Sequence, residues 1–574
     1  MKIAVVGSGV AGLGATWLLN EHSAHQVHLY EADSRPGGHA HTVRFHREGQ
    51  EPEQGVDVDT FRPSQIVFNP TTYPNFLRFL RMNPEITILP TEMTFSVSRD
   101  HGAFEWAGKD LRAVFCQPQR LLDPDMWRLL YDVLRFNACA RRILDDDAIP
   151  DDMPIGEYLV QEGYSDAFKD NYLIPMTAAI WSTPPEACAT DFPARTLVRF
   201  MRNHHLLQIT GKPKWLTIEG GSIKYVQRIL ARLPPSQLHL STPVHSVRTL
   251  PDARLRTAAR VELRTAAGTT AVYDRVILAC HSGAALRILD AGGGITQRER
   301  DVLGTFRWTA NECILHRDER LMPKSKRAWS CWNYLASTRT TSEAEAQAAD
   351  PPSRTYGMNE LQHIPYDRYG PVLVTLNSPR DRGPAAGAVV GPFEPAAGTV
   401  VGRWTYEHPV LDAKAVRAQK LLPLIQGTRA IWYAGAYTRY GFHEDGFASG
   451  LAAAVAAGGA QPYGARPPSS DTVHPPSSDT VHPPSSDTVH PPFPLVADID
   501  AHLRRVPGEW PLLAAAAARV FGEGPLVARA FDALEWAGVP RAVARLACPV
   551  LAGLRRALGV ALEAGDAAGR AKRE

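Results

Sequence analysis

Short apolar runs and longer runs of helical period alternate from the start of this chain. Lys2–Val6, Val27–Tyr30, Arg275–Ala279, Val372–Leu376 and Ala430–Ala434 are compact apolar stretches that predict strands. Gly9–Glu21, Met126–Leu144 and Gly446–Ala457 carry apolar residues at helical spacing and predict helices. A strand, a glycine turn, a helix and a second strand by Tyr30 predict a βαβ unit. Near residue 460 the pattern breaks: Pro467-Pro-Ser-Ser-Asp-Thr-Val-His474 recurs at 475–482 and 483–490. One apolar residue per repeat buries too little surface to offset ordering entropy, which predicts a disordered linker. Beyond it Val543, Leu546, Val550, Leu551, Leu554, Leu558 and Leu562 recur at three- and four-residue spacing among Arg541, Arg545, Arg555 and Arg556. This predicts a helical tail that Pro549 should kink or divide. Its apolar face suits packing on the body, or an interfacial helix lying on a membrane.

With 574 residues, 44% of them hydrophobic, the chain can bury a large core. Lys plus Arg, 62, nearly balance Asp plus Glu, 60, so the basic footprint of a nucleic-acid binder is missing. Cys116, Cys139, Cys188, Cys280, Cys313, Cys331 and Cys548 are scattered and form no CxxC pair. They predict neither a disulfide framework nor a zinc site, and suit a reducing, cytoplasmic setting. No metal site is expected: His39 and His41 have no carboxylate or thiolate at ligand spacing, and nothing fixes the repeat histidines. The N-terminal apolar run leads straight into a glycine turn and is not a signal peptide. No stretch of about twenty uncharged apolar residues predicts a transmembrane helix.

Gly7-Ser8-Gly9-Val10-Ala11-Gly12 lies between the first strand and its helix, the context in which G-x-G-x-x-G binds a dinucleotide. Gly7 permits the tight turn and Gly9 admits a pyrophosphate to the backbone. Gly12 lets helix and strand pack closely, with the helix N-terminus facing the phosphates. Glu31 ends the second strand, where a carboxylate accepts from ribose hydroxyls and disfavours the 2′-phosphate of NADP.

Glu31-Ala32-Asp33-Ser34-Arg35-Pro36-Gly37-Gly38-His39-Ala40-His41-Thr42 resembles the extended FAD signature of the flavin-containing amine oxidase superfamily. That signature is an acid, an Arg, then Gly-Gly-Arg-x-x-Thr. His39 replaces its last Arg, so the charge there depends on pH. The strand before Gly435 and the stretch Gly441–Gly450 are similar to the strand, glycine, acid–Gly pair and helix that close the superfamily's flavin site. The resemblance implies that Gly435 approaches the pyrophosphate. It also implies that a helix beginning near Gly446, beside Asp445, points its N-terminus at the flavin. Gly446, Ser449, Gly450 and Ala453 would let that helix pack on the first one. Ile66–Pro70, Tyr172–Met176, Ala179–Ser182, Gly220–Ser222 and Trp329–Tyr334 resemble a narrower subgroup of predicted NAD/FAD-binding proteins. Its relatives form the N-terminal half of plant cyclopropane fatty-acid synthases. Asp57–Gln65 departs from the family's compact Asp-Thr-Gly-Phe, an insertion expected to disturb the flavin site.

The implied cofactor is FAD, bound by Gly7, Ser8, Gly9, Val10, Ala11, Gly12, Glu31, Ala32, Arg35, Gly37, Gly38, His39, Val244, Gly435, Asp445 and Gly446. His443 occupies the position that the family gives to one wall of an aromatic cage. It is the catalytic candidate, a proton carrier tuned by Glu444 and Asp445. The expected fold is α/β: a Rossmann-like FAD-binding lobe (about 1–68, 212–290 and 425–460) and a mixed α+β, amine oxidase-like substrate lobe (about 69–211 and 291–424). A disordered repeat linker (461–492) and a helical tail (493–574) follow. The expected function is FAD-dependent oxidation, reduction or isomerisation at a C–C bond of a lipid or other apolar substrate. Amine oxidation at a CH–NH bond is one alternative, and a redox-silent flavin-binding scaffold for a lipid-modifying partner is the other. No nucleic-acid partner is expected; peripheral membrane contact would come through the tail.

Overall fold

A computed structural model describes residues 1–47, 49–60, 67–181, 192–208, 214–250, 260–336, 353–378, 394–458, 491–493, 495–496 and 525–558. Within Lys2–Val6, Ile3 and Val5 enter one core while Ala4 and Val6 enter another, all of them buried. A strand covered on both faces reads as an unbroken apolar run, the signature of a parallel sheet sandwiched by helices. Lys2–Val6 pairs in parallel with Gln26–Tyr30 on one side and Arg275–Leu278 on the other. Leu238–His239 and Ile431–Tyr433 complete this five-stranded sheet, also in parallel. Segments far apart in sequence therefore end side by side: Ala279 N–H donates to the Val6 carbonyl at 2.8 Å, and Ala434 N–H to the Leu278 carbonyl at 3.0 Å. The glycine turn after the first strand, the Cys280 turn and Gly435 share one edge as a result.

Two helices lie together over one face of this sheet, Val10–Glu21 and His443–Ala457. Their approach is set by missing side chains. A Cβ on Gly450 would come within 2.0 Å of the Ala11 carbonyl oxygen, and one on Gly446 within 2.5 Å of Val10. The second helix begins at His443, one turn before the expected start at Gly446, because Asp445 accepts from the Phe442 N–H at 2.9 Å and caps it there.

A seven-stranded mixed sheet forms the other half of the body, in the order 400–409, 308–316, 373–376, 353–357, 332–336, 95–99, 104–107. The helices Pro124–Cys139, Ile174–Trp181 and Ala194–Asn203 share its core, which includes Phe136, Ile180, Phe200, Tyr334 and Phe442. A short antiparallel pair, Thr42–Phe45 with Val56–Asp59, and a three-stranded sheet of 67–68, 215–218 and 88–91 lie between the halves in sequence.

The Pro/Ser repeat and residues 61–65 of the expected insertion lie outside the described residues. The tail opens with a docked, non-helical segment. Phe493 stacks on Trp17 with ring centroids 6.0 Å apart, and Asn75 exchanges two hydrogen bonds with the Val496 backbone at 2.8 and 2.9 Å. Its helices are Pro525–Trp536 and Val539–Ala557. Of the two effects expected of Pro549, division of the second helix is absent: it runs through the proline. The chain turns instead at Gly538, whose left-handed φ of 67° ends the first helix and leaves the two inclined by 68°.

Candidate flavin site

The glycine turn is braced by the residues that follow it. Gly7 holds φ at 102°, and a Cβ there would meet the Ala279 carbonyl oxygen at 2.8 Å; one on Gly12 would lie 1.8 Å from the Gly7 oxygen. Gly9 is different: a Cβ on it meets nothing within 4 Å. Its backbone caps the helix Val10–Glu21 with no side-chain acceptor, which leaves first-turn N–H groups for an anion to satisfy. The turn is a cradle whose floor is closed at Gly7 and Gly12 and whose mouth is open at Gly9.

Glu31 serves the turn as well as the cleft. Its Oε2 accepts from the Ser8 N–H at 2.8 Å and Oγ at 2.6 Å, while Oε1 accepts from the Asp33 N–H at 2.9 Å. Each carboxylate oxygen has two acceptor positions, so Oε1 keeps capacity for a ribose hydroxyl. The Gly37 N–H returns to the Ser8 carbonyl and Oγ, both at 3.1 Å, which ties the two glycine motifs together. Arg35 points into its own loop, donating to the carbonyls of Pro36, Gly38 and Ala40 at 3.3, 2.8 and 3.2 Å. It thereby holds Gly37 and Gly38 at positive φ, where a Cβ on Gly38 would come 3.0 Å from Gly9.

Gly7, Glu31, Ala32 and Val244 meet on the wall of one cleft of about 610 Å³. The sequence reading missed the rest of that wall, notably Thr242, Cys280 and Arg287. Burial pushes the Cys280 thiol up to about 12, so it is a neutral, inert surface. Arg287 adds a guanidinium to a cleft suited to an anionic dinucleotide. No short motif marks these residues, because they come from a different strand and helix of the sheet. Only the strand at Arg275–Ala279 hinted at them.

Beyond Gly38 the chain enters an aromatic and histidine-rich corner. The His39 ring lies 5.4 Å from Tyr406, 5.6 Å from His281 and 6.1 Å from His408. His41 Nδ1 is 2.7 Å from the Tyr406 hydroxyl, and burial pushes its pKa down to about 4. Asp59 joins three motifs that are separate in sequence. Its carboxylate accepts from Thr42 Oγ1 at 2.5 Å, from Ser222 Oγ at 2.7 Å and from the Ser222 N–H at 2.9 Å. The FAD-like signature, the strand at the start of the Asp57–Gln65 stretch and the Gly220–Ser222 turn are therefore locked into one frame.

The closing segment is less open than expected. Gly435 donates its N–H to Ser449 Oγ at 2.9 Å, and a Cβ on it would run into the Tyr437 ring. Asp445 caps the helix and Gly446 packs on Val10, so both shape the helix-to-helix contact. His443 requires a correction. It does not line the cleft that holds Gly7, Glu31, Ala32 and Val244: both ring nitrogens are sealed from solvent and have no hydrogen-bond partner among the described residues. Its ring is wedged against Phe76 and Tyr225, with centroids 4.9 and 5.4 Å away. Burial alone pushes its pKa down to about 3; Glu444 and Asp445 do not tune it. The earlier start of the helix turns His443 inward, and a neutral, enclosed imidazole is no proton carrier at pH 7. Glu444 faces the other way, accepting from Asn75 N–H and Nδ2 and from Phe76 N–H at 3.0, 2.6 and 2.9 Å. It caps the helix Pro74–Arg81, and burial pushes its carboxyl up to about 8.

Under the N-terminus of the closing helix is a narrow cavity of about 20 Å³, walled by Val67, Ile180, Phe200, Trp215, Trp332 and Phe442, with Tyr73, Met93, His204 and Leu206. Among the described residues no carboxylate lines it. His204 is neutral there, its pKa pushed down to about 3 by burial.

This arrangement of parallel sheet, glycine cradle and closing helix has known counterparts. Residues 10–314, more than half of the chain, match the family described as flavin containing amine oxidoreductase, and the chain belongs to that family. The protein is an FAD-dependent oxidoreductase. Among solved structures, a CLA-producing fatty acid isomerase from P. acnes is similar with a TM-score of 0.50 and 12% identity, over 78% of this chain and 96% of that one. Putrescine oxidase bound to putrescine is similar with a TM-score of 0.51 and 14% identity, over 79% of this chain and 98% of that one. At such identities the likeness is one of fold. No curated protein sequence matches the chain.

The residues present fit FAD. The open position at Gly9, the uncapped helix N-terminus and the remaining acceptor capacity of Glu31 supply what a pyrophosphate and a ribose require.

Proposed function

We propose that the protein oxidises, reduces or isomerises a carbon–carbon bond of a lipid or other apolar substrate. The observation that carries this reading is the wall of the cavity beside the closing helix. It is built from aliphatic and aromatic side chains and a neutral histidine, with no carboxylate among the described residues. An ammonium group placed there would lose its hydration without an ionic partner, a cost of several kcal/mol. At about 20 Å³ the void as it stands has room for one water, so an acyl chain would enter by parting these side chains, gaining roughly 0.8 kcal/mol for each methylene removed from water.

FAD supplies hydride or single-electron transfer, which serves each of these reactions. The chain's own residues would do the rest. Phe200, Trp215 and Phe442 would align the chain and exclude water. The glycine turn, Glu31 and Arg287 would hold the dinucleotide at the edge of the parallel sheet. On this reading the parallel sheet and glycine turn form a Rossmann-like FAD lobe, and the seven-stranded sheet forms the substrate lobe. The motifs at 66–70, 172–176 and 220–222, which resemble the subgroup related to plant cyclopropane fatty-acid synthases, support the same reading. That the fold is shared with a fatty acid isomerase is compatible with this substrate class.

The test is product analysis. Holoprotein is incubated anaerobically with an unsaturated fatty acid or with putrescine, in the oxidised and the chemically reduced state. A change in the number or position of double bonds is expected, with putrescine unchanged. Conversion of putrescine alone would overturn the proposal in favour of amine oxidation. Conversion of neither, in a protein that holds FAD, would favour the scaffold.

A further inference from the structure

The second tail helix, Val539–Ala557, presents an apolar stripe to solvent. Val543, Leu546, Val550 and Leu554 are spaced three and four residues apart, so they share one face, and they are 56%, 74%, 60% and 46% exposed. Trp536, 92% exposed, stands at the bend just before this helix. The stripe is not simply an undocked face of a loose segment, because the preceding helix is clamped to the body. Asp532 pairs with both guanidinium nitrogens of Arg142 at 2.8 and 2.7 Å. Glu535 pairs with Arg135 at 2.5 Å and accepts from the Tyr131 hydroxyl at 3.1 Å. Ala528 is buried against Ala138 and Cys139, and Phe531 packs edge-on against Tyr131. This side of the tail is spoken for; the stripe faces away from it. Val539–Ala557 also packs on the helix Pro124–Cys139 and the turn Pro118–Leu122, where Trp127 and Leu121 are themselves exposed.

Charge identifies the occupant. Val539–Ala557 carries Arg541, Arg545, Arg555 and Arg556 and no acidic residue. Arg545 and Arg556 are eleven residues apart, about three turns, and so share one line along the helix, in the half turned away from the stripe. Two copies of this helix brought together would add eight arginines and no carboxylate, a like-charge pairing of the two helices. An anionic lipid surface would neutralise them, while the apolar stripe enters the headgroup boundary and Trp536 sits at the level where indoles are favoured. Neither tail helix alone is long and apolar enough to cross a membrane; only the bent pair reaches that composition, and its 68° bend and four arginines suit lying on the surface.

We propose that the tail is a docking face for an anionic membrane surface, with Val543, Leu546, Val550, Leu554 and Trp536 inserted and the arginines of the helix's other half drawn to the lipid phosphates by their charge. It stands independently of the substrate reading. The experiment is co-sedimentation of the full-length holoprotein with vesicles, either phosphatidylcholine alone or phosphatidylcholine mixed with phosphatidylglycerol. Binding to the mixed vesicles is expected, weakened by high salt and reduced by about tenfold or more in Leu546→Glu/Val550→Glu and in Arg545→Glu/Arg556→Glu. These side chains are exposed, so melting temperature and FAD content should match the parent and exclude misfolding as the cause. Three results would overturn the proposal: no binding to mixed vesicles, binding that the glutamate variants leave unchanged, or a dimer in sedimentation that Leu546→Glu/Val550→Glu dissolves.

Discussion

Gly9 and Gly12 belong to one motif, yet they answer to different constraints. Gly9 has ordinary backbone angles and open space where a side chain would go, whereas a Cβ on Gly12 would strike the Gly7 oxygen at 1.8 Å. Gly9→Val should therefore fold within about 0.5 kcal/mol of the parent and lose FAD, since its side chain occupies the pyrophosphate's approach. Gly12→Val should lose stability first, measured as a fall in melting temperature of the apoprotein. This contrast was legible in the sequence, because the motif's spacing encodes it. The role of His443 was not. Its identity suggested a proton carrier, but which way it points depends on a helix start fixed by Asp445 and on Phe76 and Tyr225, which no local pattern reveals. With both nitrogens buried and unpartnered, it carries a desolvation cost of about 1–3 kcal/mol. His443→Phe is expected to retain FAD and turnover and to raise the melting temperature at pH 7. The pH dependence follows from the direction of its shift. The folded pKa, about 3, lies below the unfolded value of 6.5, so the unfolded chain takes up the proton first as pH falls. Stability from this group is thus present above pH 6.5 and lost progressively towards pH 3. Melting curves between pH 7 and 5 should fall more steeply for the parent than for His443→Phe, while Glu444, whose raised pKa acts in the opposite sense, is common to both. Equal slopes would contradict the account.

At the scale of elements, the strands at residues 2, 27, 275 and 430 could be read because strands buried on both faces leave unbroken apolar runs. Their adjacency could not, since it is made by pairing across hundreds of residues. The cleft residues Thr242, Cys280 and Arg287 were missed for that reason. The contact between Val10–Glu21 and His443–Ala457 was legible in its small residues, although not in its start. It is also where the fold and the cofactor depend on one another, because the helix that packs on the glycine turn is the helix that closes the site. Gly450→Val should cost about 1–3 kcal/mol by overpacking against the Ala11 carbonyl, and should release FAD on mild heating. A variant with parent-like melting temperature and full FAD content would show that the two helices can part without consequence. That Pro549 leaves its helix undivided was not legible, because sequence alone does not say whether a proline's lost hydrogen bond is tolerated; the break between the two helices falls at Gly538.

For the whole molecule, the body is held by three extensive cores and the tail is tied back to it at Asn75, Trp17 and Arg142. The repeat contributes one valine per eight residues and is expected to connect rather than pack. Deleting 467–490 leaves eight residues between Gly458 and the repeat site, a reach of up to roughly 27 Å when extended. Melting temperature and FAD content should be nearly unchanged; a drop of many degrees would show that the repeat takes part in the core. The account as a whole rests on the dinucleotide cradle. Heat denaturation of purified protein, with mass analysis of whatever small molecule is released, tests it most directly. One FAD per chain, absent from Gly9→Val, is the predicted result; FMN, NAD or no released cofactor would contradict it.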